Sequence, residues 1–216
     1  MVKPLLGRLW FAGTAVVVAI GLVVQLVATA RLHSGFFDSR AGRIVNMFCF
    51  FTIQSNIIGV VTLLLVLASR GGERPRALEL LRGAAAVYLS VTFIVVIVLL
   101  SNVDVGLQLP WVDVVLHKVF PVIVVADWLL DPPHHRLDIR DTVYWLIYPA
   151  IWVAFTLVRG ASDRWYPYPF LDPANGGYGS VAIAIVGVLV GFLVLSALFV
   201  ALGNARSRPP QTLRAA

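Results

Sequence analysis

Six long apolar segments, separated by polar or Pro/Gly-rich stretches, dominate this sequence. They lie near residues 9–32, 44–68, 78–101, 111–130, 142–159 and 179–203. Each is close to the roughly 20 residues that an α-helix needs to cross a bilayer, and none alternates polar and apolar residues as a barrel strand does. Charged residues make up only 13% of the chain, too few to cover a soluble domain. The sequence therefore predicts an all-α integral membrane protein, with a six-helix domain over 1–205 and a basic, disordered tail over 206–216.

The Lys and Arg residues are distributed unevenly between the two sides of such a bundle. One side would carry Lys3, Arg8, Arg70, Arg74, Arg76, Arg82, Arg136, Arg140, Arg206, Arg208 and Arg214. The other would carry only Arg31, Arg40, Arg43, Arg159 and Arg164, with nothing basic around Asp104. Because cytoplasmic loops carry the excess of Lys and Arg, both termini are predicted to be cytoplasmic. This topology accounts for the net charge of +6 without nucleic-acid binding.

The first apolar segment has a second interpretation. Basic residues before it and the tripeptide Ala28-Thr29-Ala30 near its end resemble a secretory signal with its cleavage site. Signal sequences have shorter apolar regions, however, and removing this segment would leave an odd number of spans. Six spans is the interpretation we adopt. All but two of the 17 basic residues are arginine, which favours a GC-rich bacterial genome and the bacterial inner membrane.

Polar side chains form a stripe on the second predicted span. The stripe, at steps of three and four residues, is made of Asn46, Cys49, Thr52, Ser55, Asn56 and Gly59, while Gln54 points elsewhere. Small and polar residues commonly mediate helix packing in membranes, so this stripe is also compatible with a purely structural contact.

The fourth predicted span contains ionisable residues, which are costly in a bilayer unless they have partners. Asp113 and His117 are four residues apart and share a face with Asp127, whereas Lys118 points about 100° away. A carboxylate placed in this way can fix the tautomer of an imidazole and stabilise its protonated form. The alternative is a hydrogen bond that only anchors the span.

The predicted topology brings these two spans to the same depth. Both run from the outer to the inner side, and Thr52 would lie about 12 Å, and His117 about 9 Å, below the start of its span. A threonine hydroxyl is a poor nucleophile unless a base takes its proton, and a neutral imidazole is suited to that role. The pair would favour acyl transfer.

Three segments of this chain resemble the androgen-induced and androgen-dependent multi-span membrane proteins of animals and bacterial six-span proteins. The segments are FFTIQSNII at 50–58, LHKVFPVIVVADWLL at 116–130 and WYPYPFLD at 165–172. The resemblance implies a threonine hydrolase acting on fatty-acid esters of hydroxy fatty acids, with Thr52 and His117 as its essential pair. Asp113, Asp127 and Lys118 depart from the pattern of the animal members.

The sequence thus predicts an intramembrane lipid-ester hydrolase with Thr52 as nucleophile and His117 as base. Asp113 would orient His117, and Gln54, Ser55 or Asn56 would donate hydrogen bonds to the oxyanion. The rival functions are a lipid-binding or scaffold protein and, with less support, a proton-coupled transporter using His117, Lys118 and Asp127.

An aromatic segment before the last span is predicted either to mark the membrane interface or to form a lid over the site. Its aromatic residues are Trp165, Tyr166, Tyr168 and Phe170. Tyr148 and Trp152 on the fifth span are candidates for the wall of an acyl-chain pocket. A single cysteine excludes an intramolecular disulfide, and His134 and His135 lack enough neighbouring ligands for a metal, so neither metal nor cofactor is predicted.

Overall fold

The structure is a computed structural model that describes residues 2–32, 36–69, 74–101 and 109–206. The predicted tail beyond Arg206 lies outside these ranges, as do Arg70 and Asp104. The described ranges contain helices and turns but no strand, so the all-α prediction is confirmed for them.

Eight α-helices and several shorter helical turns make up the described chain. The α-helices are α1 (Val2–Arg31), α2 (Arg40–Met47), α3 (Phe51–Ala68), α4 (Arg76–Leu99), α5 (Pro110–Val114), α6 (Phe120–Leu130), α7 (Thr142–Asp163) and α8 (Gly177–Arg206). A π-helical turn (Val115–Val119) joins α5 to α6, and 3₁₀ turns lie at Ile139–Asp141, Pro169–Leu171 and Pro173–Asn175.

Within the described ranges, five helical segments are long and apolar enough to cross a bilayer. They are Leu9–Arg31, Phe51–Ala68, Arg76–Leu99, Ile139–Asp163 and Gly177–Arg206. The region of the fourth predicted span is continuously helical from Pro110 to Leu130. It consists of two α-helices, α5 and α6, with the π-helical turn between them.

The second predicted span, 44–68, differs from the structure at its beginning. The short helix α2 ends at Met47, and α3 starts at Phe51 after a break. Ser39 accepts a hydrogen bond from the Gly42 N–H and so caps α2, whose composition is polar compared with that of α3. The break places Thr52 in the first turn of α3 rather than in the middle of a longer helix.

Helix α4 forms the centre of the bundle. It packs against α3, α6, α7 and α8, and every side chain from Ala84 to Leu89 is buried. Small residues in this stretch let neighbouring helices approach closely, as in many membrane bundles.

A buried ionic network lies at one end of the bundle, which we call the basic end because Arg74, Arg76, Arg136, Arg140 and Arg206 lie there. Glu79 is 0% exposed and accepts hydrogen bonds from Arg74 at 2.7 Å and from Arg82 at 2.9 Å. Arg82 also pairs with Asp127 at 2.9 Å, and Arg74 with Asp131 at 2.6 Å. The network therefore joins the start of α4 to the end of α6.

The sequence places Arg74 and Arg82 among the basic residues on the side of the termini and predicts no partner for either. Arg74 and Arg82 are instead buried, because carboxylates on two helices neutralise them. Asp127, which the transporter hypothesis placed on a proton path with His117, is bonded to Arg82.

Candidate active site

Thr52 lies in the first turn of α3, where the helix has backbone N–H groups without helical acceptors. The carbonyl groups freed by the preceding break are bonded by side chains. Gln54 Nε2 donates to the Phe48 oxygen at 2.6 Å, and Trp152 Nε1 donates to the Cys49 oxygen at 2.9 Å. These two side chains satisfy carbonyl groups at the break. No side chain caps the start of α3, and the Thr52 N–H there donates to the Tyr168 hydroxyl.

The Thr52 hydroxyl lies 3.2 Å from His117 Nε2, and His117 Nδ1 lies 2.7 Å from an Asp113 carboxylate oxygen. Thr52 and His117 are buried, whereas the Asp113 side chain is 31% exposed. If Nδ1–H donates to the carboxylate, Nε2 is left as the acceptor for the Thr52 hydroxyl. The three side chains thus form a continuous hydrogen-bonded chain, with His117 between Asp113 and Thr52. A nucleophile, its base and an orienting acid would need the same order.

The π-helical turn at Val115–Val119 carries His117. Pro121 has no N–H to offer the carbonyl of His117 four residues earlier, which disfavours a regular α-helix. The Phe120 N–H donates to Val115 rather than to Leu116. The Leu116 oxygen accepts instead from Asn56 Nδ2 on α3, at 3.2 Å. Turns of this kind often occur at functional sites, and here the turn links the His117 segment to the Thr52 helix.

A glycine allows these two helices to approach closely. A Cβ atom on Gly59 would lie 2.7 Å from the ring of Phe120, too close for any real contact. Gly59 of the predicted polar stripe therefore serves the packing of α3 against the start of α6.

Tyr168 completes the surroundings of Thr52. Its hydroxyl oxygen lies 3.3 Å from the Thr52 hydroxyl and accepts a hydrogen bond from the Thr52 N–H at 3.3 Å. Burial raises the pKa of the Tyr168 phenol, and hydrogen bonds from Thr52 oppose this to a smaller extent. The phenol consequently stays protonated at neutral pH and can donate a hydrogen bond.

A cavity of about 490 Å³ begins at Thr52 and extends between α4, α7 and α8. This volume lies within the range of about 300–1,000 Å³ that is typical of small-molecule sites. Nearly all of its lining is apolar, and Thr52, Thr92 and Tyr168 are the polar side chains that line it among the described residues. The Thr92 hydroxyl donates to the Tyr88 carbonyl, so the available polar groups are at the Thr52 end.

The candidate pocket and lid residues take different positions. Trp152, Tyr168 and Phe170 line the cavity, and Tyr168 and Phe170 stack with parallel rings. Trp165 instead packs edge-on against Phe50 and lies under Arg159.

Tyr166 and Tyr148 have packing and bonding partners of their own. Tyr166 lies close against Gly160, and the Tyr148 hydroxyl donates to Gln54 Oε1.

The predicted oxyanion donors are only partly available. The Gln54 amide bonds to Phe48 and Tyr148, and the Asn56 amide nitrogen donates to the carbonyls of Thr52 and Leu116. The Ser55 hydroxyl is buried and has no hydrogen-bond partner within the described part of the chain. Sequence reasoning gave Tyr168 a role only as part of a lid, and its distance from Thr52 in sequence hid the contact.

No group of three or more His, Cys, Asp or Glu side chains that could hold a metal occurs within the described residues. His134 Nδ1 accepts a hydrogen bond from the Arg74 N–H, and His135 Nε2 lies 2.8 Å from the Arg74 oxygen. Both histidines therefore contact the segment that leads into α4.

Comparison with protein-family models, curated proteins and solved structures gives no match to this chain.

Proposed function

We propose that this protein is an intramembrane hydrolase of lipid esters with Thr52 as nucleophile and His117 as base. The observation that carries the proposal is the hydrogen-bonded Asp113–His117–Thr52 arrangement, in which Thr52 and His117 are buried and Thr52 lies at the polar end of an apolar cavity. The substrate class that the sequence resemblance implies, fatty-acid esters of hydroxy fatty acids or related lipids, has an acyl chain suited to such a cavity. Membership in the androgen-induced protein family is part of this proposal.

The reaction begins with proton transfer from the Thr52 hydroxyl to His117 Nε2, while Asp113 stabilises the resulting imidazolium. Thr52 Oγ1 attacks the ester carbonyl carbon and forms a tetrahedral intermediate. Its collapse breaks the ester C–O bond, and the leaving alkoxide takes the proton from His117. A water molecule, deprotonated by His117, then attacks the acyl-threonine; the acid leaves and His117 returns the proton to Thr52.

The negative charge of the intermediate has two sources of stabilisation near Thr52. Tyr168 donates its phenolic hydrogen, and the positive end of the α3 helix dipole lies next to Thr52. Water reaches His117 from the side of the partly exposed Asp113.

The proposed setting is a bundle of six spans with cytoplasmic termini in a bacterial inner membrane. Five of these spans are the long apolar helical segments described above. The continuous helical segment from Pro110 to Leu130, the fourth along the chain, brings the proposed number of spans to six. At 1.5 Å per residue it is about 30 Å long, enough for the hydrocarbon core.

Hydrolysis of a panel of lipid esters by purified protein tests the proposal. Wild-type protein should release fatty acid from at least one ester, and Thr52→Ala should reduce kcat by at least about 10³-fold. Thr62→Ala is the matched control, since this buried threonine of α3 donates only to the Ile58 carbonyl of its own helix. Near wild-type turnover by well-folded Thr52→Ala would exclude the threonine mechanism and direct attention to Ser55.

The second candidate function is lipid binding without hydrolysis, which the apolar cavity favours. It predicts that the purified protein retains a bound lipid and releases no fatty acid from any ester in the panel.

A further inference from the structure

The cavity beside Thr52 has a buried end and an exposed side. The lining residues Phe51, Thr52, Trp152 and Tyr168 are buried. On the opposite wall, Ala150 and Ala154 of α7 and Leu189 of α8 line the cavity and are also exposed at the protein surface. The cavity therefore opens sideways between α7 and α8.

This opening lies within an apolar part of the surface. Exposed side chains of α7 next to it are Ile147, Ile151, Phe155 and Val158, and α8 presents Val186, Leu189 and Val190. A surface of this composition faces lipid acyl chains in a membrane-spanning helix pair, not water. An occupant that arrives through the opening must therefore be apolar.

We infer that the acyl chain of the substrate enters sideways from the bilayer between α7 and α8 and lies in the cavity with its carbonyl carbon at Thr52. This inference rests on the proposed function and specifies the route by which the substrate enters and its orientation in the cavity. The acyl side of the ester occupies the apolar cavity, and the alcohol side leaves towards Asp113, where the site is partly exposed.

Two alanines set the width of this entrance. Ala150 and Ala154 are one helical turn apart, so both project from the same face of α7 into the opening. Larger side chains at these positions would narrow the passage without touching Thr52, His117 or Asp113. They should block long acyl chains and leave short ones able to reach the site.

The test compares p-nitrophenyl palmitate with p-nitrophenyl acetate as substrates for Ala150→Phe and Ala154→Phe. Each variant should lose at least about tenfold in kcat/KM for the palmitate ester and keep its activity on the acetate ester. Ile151→Phe is the matched control, because Ile151 is exposed on α7 and does not line the cavity. It should behave as wild type on both esters, and melting temperatures should agree among all four proteins.

Unchanged palmitate hydrolysis in both alanine variants, or an equal loss on both esters, would overturn the inference. If the wild-type protein hydrolyses neither ester, the proposed function fails, and a photoreactive diazirine analogue of palmitate tests the entrance separately. Its adducts should map to the α7 and α8 residues that line the cavity, and Ala154→Phe, but not Ile151→Phe, should abolish them. Adducts distributed equally in all variants would contradict the entrance.

Discussion

A threonine hydroxyl attacks an ester only when a base removes its proton, and in this protein the nearest ring nitrogen, that of His117, lies 3.2 Å away. Asp113 holds the other ring nitrogen at 2.7 Å, which favours the tautomer that can accept the threonine proton. Burial of Thr52 and His117 strengthens these electrostatic interactions.

The first prediction at the scale of single residues concerns Tyr168. Tyr168→Phe removes a proposed oxyanion donor and should lower kcat on the order of 100-fold, with a smaller change in KM. Steady-state kinetics on an active ester measures this. Tyr144→Phe is the control, since Tyr144 is exposed on α7, and it should leave both constants unchanged.

The raised pKa of Tyr168 predicts that the stability of the folded protein depends on pH. The pKa of Tyr168 is raised by folding above the value of about 10 for an unfolded chain, so the folded protein favours the protonated phenol. This contribution is complete below about pH 10 and is lost as the pH rises towards the folded pKa. The melting temperature of wild type should therefore fall more steeply above pH 10 than that of Tyr168→Phe. Parallel curves would contradict this assignment.

The contacts of this site could be predicted from residue spacing, the predicted topology and the family resemblance together. Asp113 and His117 are four residues apart, and the topology placed Thr52 at a similar depth, so their meeting required no knowledge of side-chain packing. Tyr168 differs because its contact with Thr52 depends on how the loop after α7 folds back over the bundle, and no periodic pattern encodes such a path.

At the scale of helices, the breaks were harder to predict than the spans. Apolar composition located the long helices well, because crossing a bilayer requires a minimum length. The interruption before Phe51 contains neither Gly nor Pro, the usual signals of a break. It depends on Gln54 and Trp152, whose side chains bond the exposed carbonyls.

The prediction at the scale of helices concerns Glu79 and the stability of the buried ionic network. Glu79→Gln removes the negative charge that lies between Arg74 and Arg82 and should destabilise the protein by about 3–5 kcal/mol, since it leaves buried positive charge uncompensated. Reversible unfolding in mixed micelles measures the effect. The control is Arg76→Gln: this arginine is 50% exposed in its pair with Asp141, so the loss should be no more than about 1 kcal/mol. Equal losses in both variants would contradict a structural role for the buried network.

At the scale of the whole molecule, the proposed six-span arrangement predicts a specific orientation. A reporter fused after Ala216 should be cytoplasmic, and one inserted in the 160–177 loop should be external, because the basic residues concentrate on the side of the termini. Reporter activity and protection from external protease measure the two positions. An external C-terminus would reverse the bundle and place Thr52 in the cytoplasmic half of the membrane.

The orientation also assigns a physical role to each end of the bundle. The basic end is held together by the network around Glu79, while the opposite half contains the cavity and the Thr52 site. This separation would let the cavity admit the proposed lipid substrate without disturbing the buried charges at the basic end.

Covalent trapping of the nucleophile tests the central claim most directly. Purified protein is treated with a fluorophosphonate, and the modified peptide is identified by mass spectrometry. The proposed mechanism predicts a phosphonate on Thr52 and its loss in His117→Ala, because the hydroxyl reacts only when its base is present. Thr62→Ala should label as wild type does. Labelling of Ser55 or of another residue in place of Thr52, or lipid-ester hydrolysis that persists after Thr52 has been modified, would contradict the account.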